Sequence, residues 1–125
     1  MARILVADDE PAILEVMRLT CELDGHDVRE VRTAEAAVTA FVEFSPELMI
    51  LDVNMPYEGG ARSILERLDE LGGTGSCPVI VVTGGLVEEE SEGLTDQKRV
   101  QCVIQKPFAI QDLRDAVRAA LTQPL

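Results

Sequence analysis

Two apolar runs, Leu48 to Leu51 and Val79 to Val82, stand out because no polar residue interrupts either of them. Runs of this kind suit strands buried on both faces of a parallel sheet; a strand with one wet face alternates instead. Arg3 to Ala7, Asp27 to Val31 and Val100 to Gln105 read as three further short strands. Between the strands the apolar residues change to helical spacing. Pro11 fits a first helical turn, Ile13, Leu14, Met17, Thr20 and Cys21 form the face behind it, and Gly25 ends that helix. Thr33 is a candidate N-cap for a helix with Ala36, Ala37, Ala40, Phe41 and Phe44 as its packing stripe, ended by Ser45-Pro46. A third helix runs from about Ala61 to Leu71 with Ile64, Leu65, Leu68 and Leu71 on one face, and the last, Ile110 to Leu121, faces the core through Ile110, Leu113, Val117 and Leu121. Leu86 to Arg99 carries the acidic run Glu88 to Glu92 and then Gly93, so a fourth helix there is expected to be short or frayed.

Strand and helix alternate five times with no repeat of sequence, which predicts one α/β domain over residues 1–125: a doubly wound, five-stranded parallel sheet with helices on both faces and right-handed crossovers. With 3% aromatic residues the core has to be aliphatic. A net charge of −12 opposes direct contact with nucleic acid phosphates or anionic lipid and favours a cation or a basic protein surface as partner. The N-terminus shows no signal-peptide pattern and the chain no membrane-length apolar run, giving an expectation of a cytoplasmic protein without membrane insertion. Cys21, Cys77 and Cys102 are widely spaced in apolar surroundings and read as reduced core thiols, while His26, the sole histidine, leaves no basis for a histidine metal site or catalytic triad.

In an open parallel sheet the carboxyl ends of all strands share one edge, where ligands bind. The loops at those ends carry Asp8 and Asp9, Asp52, Thr83, and Lys106. Each residue taken singly has an ordinary structural reading. The acids after the first strand suit a helix N-terminus, Asp52 suits a turn, Thr83 suits a strand and Lys106 the surface. Together they form a pocket of carboxylates that a hard cation, Mg²⁺ by preference, would neutralise, with a lysine and a hydroxyl suited to a phosphoryl group. Gly72 to Pro78 lacks a phosphate-binding lysine and precedes a strand, so it is assigned no nucleotide role, and the Glu88 to Glu92 run reads as a solvated face.

This set, in this order and over nearly the full length, resembles a bacterial two-component response-regulator receiver domain of the stand-alone, chemotaxis-regulator-like kind. The matching residues are Asp8-Asp9, Asp52 in Asp52-Val-Asn-Met-Pro56, Thr83, and Lys106-Pro107-Phe108. The resemblance implies a flavodoxin-like strand order 2-1-3-4-5 and Asp52 as the phosphoacceptor for a phosphohistidine on a sensor histidine kinase or histidine phosphotransfer protein. It implies Mg²⁺ held by Asp8, Asp9, Asp52 and the backbone carbonyl of Asn54, with Thr83 and Lys106 on the phosphoryl oxygens and a cis Lys106-Pro107 bond. Output is then expected through protein contacts on the face of the fourth helix, fifth strand and fifth helix. Such a domain phosphorylates and dephosphorylates itself without being a conventional enzyme, and the expectation is a monomer, or at most a weak dimer.

The chain departs from that family at Val103, where an aromatic usually stands three positions before the lysine, and at Gly84, where alanine is common. A β-branched aliphatic is no rotating gate, so the relay from Thr83 to the output face differs here. Other readings are a phosphate sink or a non-phosphorylated interaction module of the same fold. An aspartyl-phosphate hydrolase would want an acid where Asn54 stands, and a flavin carrier would want a hydroxyl-rich first loop and aromatic rings.

Overall fold

A computed structural model of the chain describes residues 2–56, 60–72, 77–84 and 99–122. In chain order the elements are β1 (Arg3–Ala7), α1 (Pro11–Leu23), β2 (Asp27–Val31), α2 (Ala34–Phe44), β3 (Leu48–Asp52), α3 (Gly60–Gly72), β4 (Val79–Thr83), β5 (Val100–Gln105) and a C-terminal helix (Ile110–Thr122). The expected fourth helix and its acidic run lie outside the described residues. All strand pairs are parallel, and the order across the sheet is β2-β1-β3-β4-β5. The expected flavodoxin-like order is therefore the one observed.

The uninterrupted apolar runs are what place β3 and β4 at the centre, where every residue of both strands is buried. Alternate residues of each strand feed opposite layers. Leu5, Met49, Leu51, Val79 and Val81 pack beneath α2 and α3 with Ala37, Phe41, Ile64, Leu65 and Leu68. Ile4, Val6, Leu48, Ile50, Ile80 and Val82 pack beneath α1 and the C-terminal helix with Leu14, Met17, Leu113 and Val117. Cys21 and Cys77 are buried free thiols, and burial pushes each up to about 12, where it stays protonated. Cys102 is half-buried and also free.

The expected helix faces hold except at their edges. Leu71 and Ile110, each at or next to a helix end, are 40% and 52% exposed. On α2 the stripe begins at Ala34, Ala36 lies on its flank, and Phe44 turns outward to lie 4.9 Å under the Arg29 guanidinium. Thr33 caps that helix as expected, its hydroxyl accepting from Ala36 N at 3.1 Å. Arg99, which the hydrophobic pattern left without a role, donates to Asp69 Oδ1 at 2.9 Å and to the Cys77 carbonyl at 3.0 Å, tying α3 to the start of β4.

Two buried layers on one central sheet mean that a cavity at the centre cannot close by a local shift. Ile50→Ala, at a fully buried position of β3, is expected to lower the unfolding free energy by about 2–5 kcal/mol with the urea m-value unchanged, read from urea denaturation.

Candidate functional site

Beyond Ala7 the chain leaves the sheet through Asp8, whose side chain is fully buried, whereas Asp9 and Glu10 are exposed. Asp8 N donates to the Val31 carbonyl at 3.2 Å, and Asp8 Oδ1 accepts from Glu10 N at 2.9 Å, so one carboxylate oxygen fixes its own loop. Asp52 ends β3 and is likewise fully buried. Its Oδ1 accepts from Asn54 N at 3.0 Å, the two-residue turn that an aspartate makes with its own backbone. Val53 N donates to the Val82 carbonyl at 3.0 Å, and Gly84 N to Asn54 Oδ1 at 3.1 Å, so the loops after β3 and β4 are stitched together. Thr83 closes β4 in a buried position, and its carbonyl accepts from Lys106 N at 2.7 Å.

Lys106 brings the set together. Its ammonium lies 2.9 Å from Asp8 Oδ2, 3.2 Å from Glu10 Oε1 and 3.6 Å from Asp52 Oδ2. Asp8 and Asp52 thus meet at one cation, with Thr83 and Asn54 at the same edge of the sheet. Asp9 joins differently: one carboxylate oxygen each from Asp8, Asp9 and Glu10 lie within 4.8 Å of one another, and Asp52 stands outside that triad. Glu10 is the member that sequence reasoning missed, because an acid just before Pro11 reads as a helix start. It occupies the N-cap position of α1 but makes no side-chain cap, and its carboxylate turns to Lys106 instead. The Lys106-Pro107 peptide is cis, as the resemblance implies.

The electrostatics follow from burying two carboxylates, Asp8 and Asp52, beside the exposed acids Asp9 and Glu10. Burial pushes the Asp52 carboxyl up to about 6; the Asn54 N–H and the Lys106 ammonium oppose this, while Asp8 and Asp9 add to it. Burial alone would lower Lys106, but Asp8, Asp52 and Glu10 more than offset it and hold the ammonium above the ordinary lysine value. Among the described residues the buried Asp8 Oδ2 and Asp52 Oδ2 have the Lys106 ammonium beside them, at 2.9 and 3.6 Å, and Asp52 Oδ2 accepts no hydrogen bond. Buried oxygens in that condition call for a further cation, and an all-oxygen set of hard donors fits Mg²⁺.

Residues 4–118 match the family model of the response regulator receiver domain. The chain belongs to that family. It is 33% identical over 121 residues to the response regulator MprA of Mycobacterium tuberculosis, covering 95% of this chain and 50% of that protein. It is 29% identical over 122 residues to the DNA-binding dual master transcriptional regulator RpaA of Synechocystis, covering 97% of this chain and 49% of that protein. The receiver domain therefore spans about half the length of the curated relatives it matches. Among solved structures, the CheY-like response regulator receiver domain protein of Methanospirillum hungatei aligns with a TM-score of 0.84 at 26% identity, over 97% of this chain and 94% of that one. A receiver domain is the phosphoacceptor of two-component signalling, which is the chemistry the acid pocket points to. Among the described residues no helix is long and apolar enough to cross a membrane.

The raised Asp52 value has a consequence for stability. Its folded value of about 6 lies above the ordinary 3.8, so the fold binds this proton more tightly than the unfolded chain does. Ionising Asp52 therefore destabilises the fold, by an amount that grows as pH rises through that window and is complete above it. In Mg²⁺-free buffer Asp52→Asn is expected to gain about 1–3 kcal/mol at about pH 7 and nothing at about pH 3.5, measured by thermal or urea unfolding across pH.

Proposed function

We propose that this receiver domain accepts a phosphoryl group on Asp52 from the phosphohistidine of a sensor histidine kinase or a histidine phosphotransfer protein. The observation that carries the reading is the state of Asp52: Oδ1 is held by the Asn54 N–H, while the buried Oδ2 accepts no hydrogen bond among the described residues and faces the Lys106 ammonium at 3.6 Å. Oδ2 attacks the phosphorus, a new O–P bond forms as the donor's N–P bond breaks, and the electron pair of that bond stays on the imidazole nitrogen. The carboxylate brings no proton to remove. In-line transfer of this kind asks for position and charge compensation more than for a base.

Lys106 and the Thr83 hydroxyl are assigned to the phosphoryl oxygens, the lysine as a full charge in a poorly hydrated place. Mg²⁺ would be held by the carboxylates of Asp8, Asp9 and Asp52 and the Asn54 carbonyl, supplying charge neutralisation while the phosphoryl group arrives. Attack of water on the acyl phosphate returns Asp52, so the domain turns over its own modification without being a conventional enzyme. Output is assigned to protein contacts on the face of β5 and the C-terminal helix; the fourth helix expected to complete it lies outside the described residues. Val103 favours one secondary reading. It is half-buried against the layer of α2 and α3 and carries no ring to rotate, which suits a phosphate sink that lacks the usual output switch.

Incubation with acetyl phosphate and Mg²⁺, followed by intact mass measurement, is expected to show the gain of one phosphoryl group that disappears in Asp52→Asn and with a chelator. Lys106→Ala is expected to slow the gain by roughly 10²-fold. An adduct that persists in Asp52→Asn would move the acceptor elsewhere, and no adduct from either acetyl phosphate or a phosphohistidine donor would leave the fold as an interaction module.

A further inference from the structure

The residue two positions beyond Asp52 does more than supply a turn. Asn54 N donates to Asp52 Oδ1 at 3.0 Å, and Asn54 Oδ1 accepts from Gly84 N at 3.1 Å, across thirty positions of sequence. Gly84 directly follows the buried Thr83, and a Cβ built on it would sit 3.7 Å from Asn54 Oδ1 and 4.0 Å from Lys106 Cδ. The Gly84 backbone therefore borders the same space as the Lys106 side chain, at the end of a sheet strand. A backbone N–H in that place is a ready donor to an oxyanion. In the resting protein it already has an acceptor.

We propose that Asn54 is a positioning residue that caps the Gly84 N–H at rest and gives it up when a tetrahedral oxyanion enters, so that its side chain sets how readily the pocket takes a phosphoryl group. The inference rests on the acceptance of phosphoryl at Asp52. A charged oxygen is a better acceptor than an amide carbonyl, which gives the exchange its direction. Asn54 and Gly84 are both exposed, so water can take over the Gly84 N–H when the cap is removed and the fold does not depend on it. What the entering oxygen has to displace is then the surplus of the Asn54 bond over a bond to water. That surplus corresponds to a factor of roughly 2 to 10 in affinity.

The test uses the ¹⁵N-labelled full chain, with Mg²⁺ and beryllium fluoride as a tetrahedral phosphoryl mimic. In the metal-free protein Asn54→Ala is expected to move the Gly84 amide resonance upfield and speed its hydrogen exchange, while Asn54→Asp, which keeps an acceptor oxygen, leaves it downfield. Asn54→Ala is expected to lower the beryllium fluoride concentration at half-saturation by roughly 2- to 10-fold. Asn54→Ser, whose hydroxyl stops short of the Gly84 amide, replaces the alanine variant should that one not fold. A Gly84 resonance that ignores Asn54→Ala, or a midpoint that stays put or rises, overturns the cap while wild-type binding keeps the acceptor reading. No binding by the wild type sinks the acceptor reading and the cap with it.

Discussion

The structure is built around a charge problem: carboxylates from two different strand ends meet, with little water, at a single ammonium. Like charges in such a place repel far more strongly than they would in bulk solvent. The fully buried β3 makes this possible, because it delivers Asp52 to the edge of the sheet without delivering water with it. Its neighbours on both sides then supply the partners, Asp8 from the end of β1 and, across β4, Lys106 from the end of β5. Parallel pairing is the condition for all of this, since an antiparallel neighbour would place its loop at the opposite edge.

The balance among these groups is deliberately incomplete. Lys106 is shared with Glu10, which lies closer to it than Asp52 does, so Asp52 holds only part of that cation. Asp8 Oδ2 and Asp52 Oδ2, both buried, show the same deficit from the other side, sharing that ammonium with no further donor among the described residues. A site in that condition attracts positive charge first. Once a cation and the lysine are both in place, it becomes able to accept a group that brings negative charge of its own. A local change in charge is thereby coupled to which partners Lys106 and the surrounding backbone amides hold, which is the physical form that a phosphorylation switch takes.

Most of the frame was legible in the residues, for a reason visible in β3 and β4. An uninterrupted aliphatic run has few structural options, and each of these runs stops on a residue with chemistry, Asp52 in one and Thr83 in the other. Asp8 and Lys106 became readable once the parallel order put their loops on the same edge. Three features were not legible, and all depend on where loops land. Glu10 turns to Lys106 across 96 positions, Asn54 reaches Gly84 across 30, and Arg99 reaches the Cys77 carbonyl across 22. No local pattern encodes such contacts, because glutamate, asparagine and arginine beside a turn or strand end are ordinary residues there. The edges of helix faces failed for a related reason: Leu71 and Ile110 keep the helical period but stand next to or at a helix end, where they are exposed.

Val103 shows how the same frame constrains the way out of the site. It pairs with Val81 in the middle of the β4–β5 ladder and packs on the side of α2 and α3, where a β-branched side chain has little rotameric freedom to exploit. One connection from the pocket to β5 is made of backbone, the bond from Lys106 N to the Thr83 carbonyl at 2.7 Å. Thr83 also pairs with Gln105 in the ladder, so the hydroxyl-bearing residue of β4 and the lysine loop move as one unit or separate by breaking that pairing. A displacement of the Lys106 loop therefore has to carry the end of β5 with it or break that pairing. The position of Lys106 is thus tied at the pocket itself to the end of β5, without a rotating side chain at Val103.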